Sequence, residues 1–106
     1  MTKILILEDD PIRHKAFKQN FIGADITITE TAQEAIKLLT QNKYDYLFLD
    51  HDLYGVAKFL EQNPKYKPNR IFLHSLNTQG RMAMNMALPE AVQSPFAWIK
   101  EIDFGE

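Results

Sequence analysis

The sequence predicts an α/β fold in which a parallel sheet lies between two helical layers, and three observations carry the prediction. Ile4-Leu5-Ile6-Leu7, Tyr46-Leu47-Phe48-Leu49 and Ile71-Phe72-Leu73 are short apolar runs without polar alternation, the pattern of strands covered on both faces. Helical segments with an apolar side separate these runs, so strands and helices alternate along the chain. Each run also stops abruptly, at Glu8-Asp9-Asp10, at Asp50-His51-Asp52 and at His74-Ser75. Right-handed crossovers between such strands give a three-layer sandwich.

The elements follow in order. After the first strand, Asp10-Pro11 reads as an N-cap with proline at the first helical position. The helix covers roughly residues 11–21, with Ile12, Ala16 and Phe17 on its apolar side and Gly23 closing it. Asp25-Ile26-Thr27-Ile28-Thr29 alternates strictly, which suits a strand with one face less covered, at an edge. Thr31-Ala32-Gln33-Glu34 is a capping box opening a second helix, whose buried stripe is Ala35, Ile36, Leu38 and Leu39. A short third helix through Val56, Phe59 and Leu60 ends before the loop 63–69, whose two prolines discourage continuation. Asn77 or Thr78 can cap a fourth helix with Met82, Ala83, Met86, Ala87 and Leu88 on its buried side, and Pro89 ends it. Phe96-Ala97-Trp98-Ile99-Lys100 can form a fifth strand. The six residues beyond it are too few for a covering helix, which leaves one sheet face near the C-terminus bare.

With 106 residues, 45% of them hydrophobic and 25% charged, the chain fits one domain, residues 1–106, with no repeat, linker or low-complexity tract. It has no cysteine, hence no disulfide and no thiolate metal ligand. No apolar run approaches the roughly 20 residues of a membrane span, and the start lacks the features of a signal peptide. A cytoplasmic protein is expected. The net charge of -2 offers no basic stripe for duplex DNA. Tyr44, Tyr46, Tyr54 and Tyr66 form no recognisable base-stacking platform, and the methionines read as packing. Exposed apolar residues near Phe96 and Trp98 allow a homodimer.

Ligands of open parallel sheets sit beyond the carboxyl ends of the strands, where Glu8, Asp9, Asp50 and His74 would meet. Clustered carboxylates repel one another and lose hydration, so a hard cation with oxygen ligands, typically Mg2+, compensates them best. Asp9 and Asp50 are the first candidates to hold it, helped by Glu8, with Asp52 a further carboxylate beside them. Asp10, as a helix cap, needs no such role. Carboxylates on either side favour protonated His51, a candidate proton donor near neutral pH that can equally be an ordinary surface residue. His74 can be a core histidine bonded to backbone, but Ser75 beside it, with Asn77 and Gly80 at a helix start, supplies donors suited to a phosphate oxygen. Lys100 can bring the positive charge this acidic site lacks, or be a terminal surface lysine. His14 falls on the exposed side of the first helix and is expected to be solvated.

The acids after strand one, Asp50 after strand three, Ser75 after strand four and Lys100 after strand five resemble the response-regulator receiver domain. The sequence is more similar to a divergent branch, the cyclic-phosphate processing receiver domains. Leu7-Glu8-Asp9-Asp10-Pro11 with Arg13, Leu49-Asp50-His51-Asp52-Leu53 with Gly55, and His74-Ser75-Leu76-Asn77 with Gly80 and Met84 carry that likeness. The resemblance implies a receiver (flavodoxin-like) fold with five strands in the order 2-1-3-4-5, in which histidines adapt a metal-phosphate site to a cyclic phosphate. Departures from ordinary receivers are the lack of a proline after Lys100, the lack of a Met-Pro turn after Asp50, and the missing last helix.

Three functions compete on this reading. A Mg2+-dependent phosphoesterase would open a cyclic phosphodiester of a nucleotide or an RNA end, with His51 and His74 moving protons. Ser75, Asn77, Gly80, Lys100 and Arg13 would steady the phosphate. A signalling receiver would instead accept a phosphoryl group on Asp50, leaving both histidines without a task. A binder would sequester a cyclic nucleotide unchanged.

Overall fold

The computed structural model describes residues 2–49, 55–73, 86 and 88–93. Five strands, β1 (Lys3–Leu7), β2 (Asp25–Thr29), β3 (Tyr46–Leu49), β4 (Arg70–Leu73) and β5 (Val92–Gln93), form one sheet in the order β2-β1-β3-β4-β5. Every neighbouring pair is parallel, so the order implied by the resemblance holds. Helices α1 (Pro11–Asn20), α2 (Ala32–Gln41) and α3 (Gly55–Gln62) lie between the first four strands.

Alternation along the strands divides the apolar residues into two cores, one on each side of the sheet. Leu5, Leu7, Leu47, Leu49, Ile71 and Leu73 face α2 and α3, where they pack with Ala35, Leu39, Val56, Ala57 and Leu60. Ile4, Ile6, Phe48 and Phe72 face α1 and meet Phe17 and Phe21. The second core is a chain of rings: Phe17 and Phe21 each lie 5.3 Å from Phe48, which stacks on Phe72 at 4.9 Å. Central strands buried on both faces explain the continuous apolar runs. The alternating β2 pairs only with β1 and is, as expected, an edge.

Local signals set the helix ends. The Asp10 carboxylate accepts a hydrogen bond from the Ile12 amide at 2.9 Å and Pro11 opens α1. The Thr31 hydroxyl accepts one from the Glu34 amide at 3.2 Å, which is the threonine half of the capping box. Gly23, at φ 96°, takes the left-handed conformation that lets the chain turn from α1 into β2.

Several expectations are corrected. Ile12 is 79% exposed rather than part of the apolar side of α1. It precedes Phe17 by five residues, about 140° around the helix, so only one of the two can face the sheet. Met86 has helical backbone but is 83% exposed, whereas Leu88 is fully buried. The loop 63–69 contains a 3₁₀ turn, Pro64–Tyr66, begun by a proline whose missing N–H costs nothing there. The fifth strand begins at Val92, which pairs with Phe72, ahead of the expected 96–100, a segment that lies outside the described residues. The sheet face expected to be bare near the C-terminus lies outside the described residues. No helix among the described residues is long and apolar enough to cross a membrane.

Candidate functional site

The strands end in one row. Leu7 is paired with both Thr29 and Leu49, and Leu49 with Leu73, so the carboxyl ends of β2, β1, β3 and β4 are in register. Glu8 directly follows Leu7, and its amide extends the ladder by donating to the Thr29 carbonyl at 3.0 Å. In sequence, Asp50 and His74 stand at the corresponding positions after Leu49 and Leu73. Those two residues, with His51, Asp52, Ser75, Asn77, Gly80 and Lys100, lie outside the described residues. What the structure brings together is therefore the β1 end and the start of α1.

The three acids there have different surroundings. Glu8 is buried, with 1% of its surface exposed, and its carboxylate is engaged on both oxygens. Oε1 lies 3.3 Å from Nη1 of Arg13 and Oε2 accepts the Asp10 amide at 3.2 Å. A carboxylate at this depth would be strongly destabilising without such partners. Asp9 is exposed, and its carboxylate takes no hydrogen bond or ion pair among the described residues. Asp10 is the helix cap, as its sequence position suggested.

His14 is not the solvated residue expected from its place on α1. It is half-buried, and its Nε2 is hydrogen-bonded to the Glu8 carbonyl. A carbonyl only accepts, so Nε2 carries the proton in this contact. Arg13 and His14 thus both reach back from the first turn of α1 onto Glu8, one to its carboxylate and one to its backbone. Sequence reasoning missed this double contact. The available signal was Pro11: a helix that starts immediately after the strand end places positions 13 and 14 within one turn of it.

Electrostatically, the β1 end presents one exposed carboxylate, Asp9, beside a buried carboxylate that faces a guanidinium. The donor set is all oxygen and suits a hard cation such as Mg2+. Glu8 and Asp9 are two adjacent acids, and no group of three metal-binding side chains forms among the described residues. Completion of the set would fall to the β3 end, where Asp50 stands in sequence.

A parallel sheet of order β2-β1-β3-β4-β5 with an acid pair after its first strand is the arrangement of a receiver domain of the response-regulator type, and the comparisons bear this out. Residues 3–90 match the cyclic-phosphate processing receiver domain, and the chain belongs to that family. Among solved structures it is similar to the response regulator TrrA of Thermotoga maritima in complex with Mg2+-BeF. The two are 25% identical, with a TM-score of 0.73, over 91% of this chain and 89% of that one. The phosphorylated cyanobacterial phytochrome response regulator RcpA is 15% identical with a TM-score of 0.76, over 94% of this chain and 84% of that one. A Francisella response regulator receiver domain is 22% identical with a TM-score of 0.73, over 95% of this chain and 89% of that one. No curated protein sequence matches the chain.

Proposed function

We propose that this chain is a divalent-cation-dependent receiver that opens a cyclic phosphate at the carboxyl ends of β1 and β3. The observation that carries the reading is the match of residues 3–90 to the cyclic-phosphate processing family. In this reading Asp9 and Asp50, with Glu8 and Asp52 nearby, hold Mg2+, which polarises the phosphoryl group. His51 and His74 carry protons to and from the attacking and leaving oxygens. Ser75, Asn77, the Gly80 backbone, Lys100 and Arg13 neutralise charge as it builds on the phosphate. The test is incubation with Mg2+ and a panel of cyclic mono- and dinucleotides and RNA ends bearing a cyclic phosphate. Turnover by the native chain and its loss in His74→Ala are expected; ligand recovered unchanged with both proteins would overturn the reading and leave sequestration in its place.

A second reading is phosphoryl acceptance on Asp50. It is supported by the solved relative TrrA, whose structure contains Mg2+-BeF, and by the phosphorylated state of RcpA. It predicts a Mg2+-dependent acyl phosphate after treatment with acetyl phosphate, seen as added mass on the intact protein. Asp50→Asn would abolish it, while His51→Ala and His74→Ala would leave it in place.

A further inference from the structure

Glu8 is the one deeply buried acid in the described part of the site, and a cation from the chain itself, Arg13, lies against it. We propose that Arg13 is a built-in counter-ion of Glu8 that lowers the affinity of the strand-end site for a divalent cation and, once the cation has entered, turns to the phosphoryl oxygens. The inference rests on the cation-dependent reading above and specifies how that site is regulated.

The Arg13 guanidinium meets Glu8 through one nitrogen and one oxygen at 3.3 Å, rather than as a two-bond fork. A single long contact holds less tightly than a bidentate pair. The Arg13 side chain keeps 29% of its surface in solvent, so the guanidinium can leave without breaching the core. Glu8 cannot follow: it is buried, its amide is tied to β2 and its Oε2 is tied to the Asp10 amide. The acid is the fixed partner and the arginine the movable one. His14 strengthens this asymmetry by pinning the Glu8 carbonyl from the next position on α1.

A cation held by Asp9 meets a site in which Arg13 already offsets the charge of Glu8. As its charge draws on the Glu8 carboxylate, the hold of Glu8 on Arg13 weakens. The freed guanidinium, with several donors in a planar fork, matches a phosphoryl group. Cation and phosphate binding are then coupled, each favouring the state in which Arg13 has left Glu8. No covalent step is involved.

The experiment is calorimetric titration of Arg13→Gln, Arg13→Lys, Glu8→Gln and the double variant Glu8→Gln/Arg13→Gln, first with Mg2+ alone and then with inorganic phosphate at saturating Mg2+. Losing one nearby positive charge at a partly solvated site should tighten Mg2+ binding on the order of five- to tenfold in Arg13→Gln. The same substitution should weaken phosphate binding by a similar factor, whereas a merely structural arginine would move both affinities in one direction. Arg13→Lys should restore most of the native Mg2+ affinity. In the Glu8→Gln background, Arg13→Gln should no longer tighten Mg2+ binding. Thermal melts identify a variant that fails to fold, and Arg13→Met, which removes the charge but keeps the apolar stem, then takes the place of Arg13→Gln with the same expected tightening. If the native chain binds Mg2+ but Arg13→Gln binds it equally or more weakly, the proposal is overturned and the cation-dependent reading stands. If the native chain binds no Mg2+, that reading itself fails.

Discussion

Glu8 is one methylene longer than the two aspartates that follow it, and that length lets its carboxylate fold back to the Asp10 amide and to Arg13. Asp9 is left as the exposed acid of the pair. Asp10 has a separate task, because its carboxylate satisfies an amide that the first turn of α1 cannot. Asp10→Ala is therefore expected to lower stability by about 1 kcal/mol, the usual value of an N-cap. Urea denaturation at neutral pH reads this directly. A loss of several kcal/mol would mean that Asp10 supports the strand-end site and not only the helix.

At the scale of elements, turns and caps connect a sheet whose strands are already specified by their composition. Gly23 sits at φ 96° with open space where a Cβ would be, so Gly23→Ala should cost backbone strain alone, about 1 kcal/mol. A thermal melt tests it; an unchanged midpoint would show that the turn relaxes to a negative φ. β1, β3 and β4 were legible because burial on both faces leaves so little room for polar residues between Ile4 and Leu7 or Leu47 and Leu49, and β2 because an edge strand alternates. The fifth strand begins at Val92, earlier than the apolar run 96–100 suggests, because Val92 and Gln93 alone offer no period to detect. Ile12 and Met86 are exposed against expectation for a related reason: an apolar residue near a helix end can point past the sheet, and spacing does not say where the sheet stops.

For the molecule as a whole, the row of strand ends was legible and its internal contacts were not. Register follows from the lengths of the apolar runs, so the alignment of Leu7, Leu49 and Leu73 could be anticipated. The Arg13 and His14 contacts depend on the angle at which α1 leaves β1, which no local pattern encodes. Stability rests on the two cores. In the α1 core, Phe48 is fully buried and touches three other rings, so Phe48→Ala should cost about 3–5 kcal/mol. Chemical denaturation measures it, and a loss below about 1 kcal/mol would show that the ring cluster collapses around the deletion.

The opposite end of the sheet makes a prediction about pH. Tyr44 is buried at the entry to β3, and burial is the main reason its phenol ionises above the usual range near 10. The negative charge of Asp25 acts in the same direction, while hydrogen bonds with Thr27 and Asn42 partly offset both. The folded chain therefore keeps a proton that the unfolded chain releases at lower pH. The stability this contributes is complete below the unfolded value, about 10, and is lost as pH rises through the higher folded value. Phenylalanine at this position has no proton to lose, but it also forgoes the hydrogen bonds, so Tyr44→Phe should be less stable at neutral pH by about 1 kcal/mol. Above pH ~10 the two proteins should converge, because only the tyrosine protein still has a buried phenol to ionise. Guanidinium unfolding of both proteins from pH 7 to about 11 gives the comparison, and taking the difference between them cancels the lysines and surface tyrosines that titrate in both. A gap that stays constant across this range would mean that the Tyr44 phenol ionises alike in the folded and unfolded chains.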